Sequence, residues 1–162
     1  KALPDYQIIF KPAIKDNLDK GRPRNGMFTA IPSTHKELIT DVSPPNWRLQ
    51  AVKIKSNVDI LIISSYFPVD PRTIQFDDME LQEILAGIKS IIDDNAFDHL
   101  IWCGDINTDF IRMTGHVNIV RQFVEEVNLI KSWEIFDISY TCFHEINGIT
   151  YTSKIDHFFH PV

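Results

Sequence analysis

The chain has 162 residues, 44% of them hydrophobic and 23% charged, with a formal net charge of −6. That length suffices for one domain with a sizeable core. The acidic balance excludes a uniformly basic nucleic-acid binder, but leaves room for an enzyme that meets phosphate through a local patch or a cation.

In chain order, Leu3 to Phe10 reads as a short strand and Lys11 to Asn25 as a long polar loop. The loop carries Lys11, Lys15, Lys20, Arg22 and Arg24 against Asp16 and Asp19. It is either a solvated segment or a local basic patch. Gly26 to Ile31 is a strand stopped by Pro32. Trp47 to Lys55 and Asp59 to Tyr66 form a hairpin across Ser56-Asn57. Ile60 to Ile63 is almost continuously apolar, which predicts a strand buried on both faces.

A helix follows, with Leu81, Ile84, Leu85, Ile88, Ile91 and Ile92 at helical spacing. Asp77 with Glu80 three residues on resembles a capping box. Asp98 to Cys103 is the next buried strand. Val117, Val120, Phe123, Val124 and Val127 mark a second amphipathic helix. Ile138 to His144 and Ile149 to Phe159 are strands across the Asn147-Gly148 turn, a strong signal for a tight hairpin. Trp47, Trp102 and Trp133 are assigned to the core, and Cys103 is an apolar filler. The pattern predicts an α+β domain of sheets packed face to face with helices outside.

No apolar run reaches the roughly 18 residues of a membrane span, and no signal peptide is evident. Cys103 and Cys142 have no metal-ligand spacing. A reducing, intracellular compartment is expected, nuclear or cytoplasmic.

The chemistry concentrates in Leu100 to Asn107, LIWCGDIN. An apolar strand ends in a glycine, and Asp105 and Asn107 follow two positions apart. Alternate residues on an extended chain point the same way, so the carboxylate and the carboxamide project together. Such a pair suits a water, a hard cation or a phosphate oxygen, although Gly-Asp at a strand end also serves in plain turns. Gly104 would let the backbone come close to a bound group. Thr152 to Phe159, TSKIDHFF, is a second strand with a lone acid, Asp156, among apolar residues. Buried acids are costly unless paired, so the two strands hint at one shared polar site. His157 points away from that acid. Tyr66 ends a strand, where it is either packing with a wet tip or a hydroxyl offered to the site. Thr141 is either a plain β-branched strand residue or a site contact.

Gly21-Arg22-Pro23 with Gly26, Tyr66-Phe67-Pro68, Gly104-Asp105-Ile106-Asn107, Tyr140-Thr141-Cys142-Phe143 and Ser153-Lys154-Ile155-Asp156-His157 occur together and in this order. Taken together they resemble the endonuclease/exonuclease/phosphatase superfamily, and within it the endonuclease domain of LINE-type (non-LTR) retrotransposons. The resemblance implies a four-layered α/β sandwich of two mainly antiparallel sheets flanked by helices, DNase I-like. It implies phosphodiester hydrolysis with Mg²⁺ or Mn²⁺, nicking of a target-site DNA duplex, and a monomer with no membrane partner. Under it Asp105 orients or deprotonates the attacking water, Asn107 steadies water and phosphate, and Tyr66 donates to a phosphate oxygen. Asp156 orients the catalytic histidine, and Thr141, Arg22 and Arg24 contact substrate.

The family's Asn-bearing first strand, its metal-binding Glu and its closing Ser-Asp-His segment are not found in these 162 residues. A partial domain over 1–162, incomplete at both ends, is therefore expected. Its activity should be impaired, and its metal ligands stay unassigned. Two other readings stand beside this one. The first is another superfamily phosphoesterase, such as a phosphoinositide phosphatase or a sphingomyelinase. The second is a decayed or domesticated binding module without catalysis.

Overall fold

The computed structural model describes residues 5–12, 26–69, 78–111, 115–132 and 139–161. Strand β1 (Tyr6–Lys11) pairs antiparallel with β2 (Met27–Pro32) as a small sheet. A short 3₁₀ turn over Ser33–Leu38 leads to β3 (Ile39–Asp41), β4 (Leu49–Lys55) and β5 (Asp59–Tyr66). Helix α1 (Met79–Asp94), β6 (His99–Asp105), α2 (Gly115–Glu126) and β7 (Leu129–Lys131) follow. The chain closes with β8 (Cys142–Ile146), β9 (Ile149–Ser153) and β10 (Asp156–Pro161). Among the described residues the main sheet has the order β3-β4-β5-β6-β10-β7. Its β5–β6 pair is parallel and the rest are antiparallel. This mixed α/β arrangement fits the predicted class.

One face of the main sheet carries the helices. Leu81, Ile84, Leu85, Ile88 and Ile91 of α1 and Val117, Val120, Phe123 and Val124 of α2 bury against Leu49, Ala51, Leu61, Ile63, Leu100, Trp102 and Phe159. The apolar spacing that marks each helix is thus also its contact surface. At Gly87 the helix lies so close to the sheet that an added Cβ would sit 2.7 Å from Leu49 Cδ1. Trp102 occupies the centre. It stacks on Phe159 with centroids 4.2 Å apart, meets Phe123 edge-on at 5.8 Å, and donates from Nε1 to Ser65 Oγ at 2.8 Å.

The opposite face is covered differently from expectation. Leu61 and Ile63 are buried, but Ile60 and Ile62 are only half-buried, so β5 is fully enclosed on one face alone. The reason is the placement of the β1–β2 sheet, which lies over β4. Thr29 Oγ1 donates to Gln50 Oε1 at 2.7 Å, and Gln50 Nε2 donates to Ile9 O at 2.9 Å. Gln50, 1% exposed, is therefore a satisfied polar link between the two sheets.

Other expectations need correction. The strand foreseen over Ile149 to Phe159 is two strands, β9 and β10, in different sheets. The break at Lys154–Ile155 is stabilised because its backbone groups find partners outside a ladder. Thr141 Oγ1 accepts from Ile155 N at 3.0 Å and Asp156 N at 3.1 Å, and Ile155 O accepts from Ile106 N at 2.8 Å. Thr141 itself sits in a bend at the entry to β8, so it is not in a strand, although one was foreseen over Ile138 to His144. Asp78 holds the N-cap position of α1 without a side-chain cap bond, and Glu80 turns to Arg48; the capping box foreseen on Asp77 lies outside the described residues. Trp47 is half-buried beneath Arg48 and is not a core residue. Trp133 lies outside the described residues. Asn147 (φ 53) and Gly148 (φ 75) are both left-handed, as a two-residue hairpin turn requires.

Trp102→Ala should destabilise the fold by about 3–5 kcal/mol, the usual range for emptying a large aromatic site. Urea unfolding followed by circular dichroism gives this value. A loss below about 1 kcal/mol, the scale of an ordinary point substitution, would contradict the central role of Trp102.

Candidate active site

Strands β5 and β6 run parallel, so their carboxyl ends lie side by side. Ligands of open α/β sheets bind beyond such ends. The ladder pairs Tyr66 with Asp105, and the antiparallel β6–β10 ladder pairs Asp105 with Asp156. Side chains alternate along a strand, and Leu61, Ile63, Leu100, Trp102, His157 and Phe159 all take the helix face. Tyr66, Asp105 and Asp156 therefore stand level on the other face, on three neighbouring strands.

Gly104 makes this row possible, though not by admitting a ligand. Its φ is +143°, and an added Cβ would lie 1.9 Å from the Ser65 carbonyl oxygen. The close approach that needs a glycine is that of β5 to β6. Beyond Asp105 the chain turns sharply. Asn107 has φ +48°, a left-handed conformation that Asn tolerates. Its N–H donates to Asp105 Oδ1 at 3.1 Å, and its Nδ2 donates to Phe67 O at 2.8 Å. Phe67 N in turn donates to Asp105 O at 2.9 Å. The last two of these bonds tie the end of β5 to the end of β6, and the first closes the turn after Asp105.

On the other flank Thr141 holds the N–H of Asp156, and Asp109 adds a second tie. The Asp109 carboxylate, nearly buried, accepts from Ile111 N at 3.1 Å and from Lys154 N at 3.4 Å. Asp109 also lines a small open cavity of about 190 Å³ with Ile111, Ser139, Thr152, Ser153 and Lys154. His157 lies beneath the site, 2% exposed, with its edge against Phe110. Its Nε2 is 2.8 Å from Thr108 O and must carry the proton, because a carbonyl only accepts. Burial lowers the His157 pKa; the hydrogen bonds to Thr108 and Lys154 and the charges of Asp156 and Asp109 oppose this. The ring is a neutral latch between β10 and the loop after β6.

Burial raises the Asp105 pKa. The Asn107 N–H offsets part of that, and the neighbouring Asp156 charge adds to it. Two carboxylates side by side repel each other, and a cation between them or a proton on one relieves this. Among the described residues no three His, Cys, Asp or Glu side chains are grouped to hold a metal ion. Arg22 and Arg24 lie outside the described residues. Lys11, from the same basic stretch, donates to Pro44 O at 2.5 Å and Asn46 O at 2.8 Å, pinning that loop instead of facing the site.

Sequence reasoning missed Arg48. It lies directly opposite Tyr66, with Tyr66 N donating to Arg48 O at 3.0 Å. The signal was present: Lys55 and Asp59 flank the turn, and counting outward from that pair brings position 48 opposite position 66.

A carboxyl that holds its proton more tightly when folded lowers stability once it ionises. For Asp105 the loss begins above the ordinary carboxylate range and is complete above its raised pKa. Asp105→Asn should therefore stabilise the chain at neutral pH and have little effect near about pH 3, where the native side chain is already protonated. Urea unfolding of both proteins at the two pH values, with EDTA present, checks this. Equal stability of the two proteins at neutral pH would contradict the burial argument.

No protein-family model matches the sequence, and no curated protein matches it. Solved structures do match. The endonuclease domain of TRAS1, a telomere-specific non-LTR retrotransposon, superposes with a TM-score of 0.71 at 17% identity, over 97% of this chain and 67% of that one. An endonuclease/exonuclease/phosphatase family protein from Leptotrichia buccalis gives 0.64 at 17%, over 98% and 61%. The 3′-5′ exonuclease NExo from Neisseria meningitidis gives 0.64 at 13%, over 98% and 68%. The chain spans roughly two thirds of the length of these structures or somewhat less. At such identities the likeness is one of architecture: the chain has the DNase I-like fold of endonuclease/exonuclease/phosphatase proteins.

Proposed function

We propose that this chain hydrolyses phosphodiester bonds in DNA, as a nicking endonuclease of retrotransposon type. One observation carries the reading: Tyr66, Asp105 and Asp156 stand level on one face at the ends of three adjacent strands. The superposition on an endonuclease domain supports it.

In this reading Asp105 takes the proton of the attacking water. A carboxylate whose burial raises its proton affinity is a better base than a solvated one. Tyr66 donates its hydroxyl hydrogen to a non-bridging phosphate oxygen, where charge grows in the transition state. Asn107 steadies water and phosphate, and Thr141 contacts the substrate while setting the backbone of Asp156. Asp156 would orient the histidine that the family likeness implies; His157 points to the opposite face and is not that group. Arg22 and Arg24 would contact the duplex.

A divalent cation, Mg²⁺ or Mn²⁺, belongs to the same proposal. Mg²⁺ is commonly held by one or two carboxylates together with substrate phosphate, and the repelling pair of Asp105 and Asp156 suits one. When bound, it would neutralise phosphate charge. With no three-ligand group among the described residues, affinity for the free ion should be weak and nicking slow. No helix among the described residues is long and apolar enough to cross a membrane. A monomer acting in the nucleus or cytoplasm completes the proposal.

The test is nicking of supercoiled plasmid by the 162-residue chain, with phosphoinositide and sphingomyelin substrates assayed alongside. The expected result is slow DNA nicking in Mg²⁺ and none in EDTA. Asp105→Ala should lower the rate by about 10²-fold or more, as for loss of a general base. Unchanged nicking by Asp105→Ala would overturn the role of that residue. Turnover of a lipid substrate alone would favour the other phosphoesterase reading, and no turnover of any substrate would favour the non-catalytic one.

A further inference from the structure

We propose that Arg48 is the positioning residue of Tyr66, a planar clamp that holds the tyrosine ring and its backbone in the orientation phosphate binding needs. The proposal rests on the reading that Tyr66 donates to a phosphate oxygen.

Arg48 immediately precedes β4 and sits across the ladder from Tyr66. Its own carbonyl accepts from Tyr66 N at 3.0 Å, and its Nη1 donates back to Tyr66 O at 3.3 Å. The guanidinium lies over the Trp47 ring at 4.0 Å and near the Tyr66 ring at 5.4 Å, both measured from Cζ to the ring centroid. Nε donates to Glu80 Oε1 at 2.5 Å. Arg48 N is held by Asn46 Oδ1 at 2.8 Å, and Asn46 O by Lys11 Nζ at 2.8 Å. One guanidinium thus meets two aromatic rings, a carboxylate and the Tyr66 carbonyl.

The ion pair alone does not account for this arrangement. The Glu80 side chain is 46% exposed, and such pairs contribute little to stability. Nor is the charge free to greet a phosphate, since Glu80 compensates it. What the arrangement does is limit Tyr66. A strand-end tyrosine fixed only by its backbone can swing its ring, and so move its hydroxyl by several ångströms. Here the Arg48 cation attracts the ring and the Arg48 fork holds the carbonyl. A lysine supplies charge but neither a plane nor a fork. Misplacement of a donor by even about 1 Å can cost roughly 10²-fold in rate.

The experiment is a double-mutant cycle with a spectroscopic arm. Arg48→Met, Arg48→Lys, Tyr66→Phe and the Arg48→Met/Tyr66→Phe pair are made in the 162-residue chain. Nicking of supercoiled plasmid is measured for each. The ring resonances of ¹³C-tyrosine-labelled protein are recorded in parallel, with the Tyr66 signal assigned by its loss in Tyr66→Phe. Arg48→Met should lower kcat roughly tenfold with little change in KM, an effect confined to the transition state. Arg48→Lys should not restore the rate. In the Tyr66→Phe background Arg48→Met should cost nothing further, because the two residues act as one unit. The Tyr66 ring signal should move in Arg48→Met and stay in place in Lys89→Met, a change in an exposed ion pair of α1 that does not touch Tyr66.

Equal cost of Arg48→Met with and without the phenol would overturn the proposal, as would full rescue by lysine or an unmoved ring signal. If Tyr66→Phe nicks as fast as the parent, the phosphate-donor role of Tyr66 is wrong. The ring signal then decides alone whether Arg48 holds the tyrosine, and it does the same if the chain shows no nicking.

Discussion

The site depends on the contact between β5 and β6 at Gly104. There the Ser65 carbonyl occupies the space a side chain would need. This lets two parallel strands end level, with Tyr66 beside Asp105. Trp102, two residues earlier, bonds to the Ser65 hydroxyl from below. The same short stretch of β5 therefore receives the aromatic core on one side and sets the row of Tyr66, Asp105 and Asp156 on the other. A backbone contact couples packing to chemistry here, because it leaves neither strand free to slide relative to its neighbour.

The second constraint is polar. Where the chain crosses from the β8–β9 hairpin to the main sheet, backbone donors leave one ladder before they join the next. Backbone N–H groups are strong donors that seek partners wherever the ladder is interrupted. Thr141 and Asp109 take those donors, and the Ile155 carbonyl takes Ile106 N. These bonds set where β10 begins, and so bring Asp156 level with Asp105. Side-chain oxygens here do the work of a turn, and the acid inherits its position from them.

Much of this was legible in the residues. The helices followed from apolar spacing, and the β4–β5 hairpin from two apolar runs around Ser56-Asn57. The β8–β9 turn followed from Asn147-Gly148, and Asp105 and Asp156 from acids set in apolar strands. What was not legible arose from contacts distant in sequence. The break at Lys154–Ile155 is set by Thr141 and Asp109, 13 and 45 residues upstream of Lys154, and an apolar-polar pattern carries no trace of it. The half-buried face of β5 reflects where β1–β2 lands, which Gln50 and Thr29 decide. β3 and β7 are three-residue strands, too short to show a period. Arg48 was overlooked because a lone base in a foreseen strand reads as an ordinary solvated residue; its place depends on the partner that the hairpin register sets opposite it, Tyr66.

In β10 an exposed acid is followed by a fully enclosed imidazole, and then the alternation repeats with Phe158 outside and Phe159 inside. A strand shifted by one residue exchanges its two faces. In such a shifted pairing Asp156 and Phe158 would enter the helix layer, while His157 and Phe159 would leave it. Trp102 would lose its stacking partner, and a carboxylate would be left in an apolar core. The shifted pairing is therefore penalised at both faces, by lost aromatic contact and by an unsolvated charge. The residues that mark the site also act as a check on register as β10 docks. A chain that has packed its tryptophan correctly has, by the same step, brought its acids level.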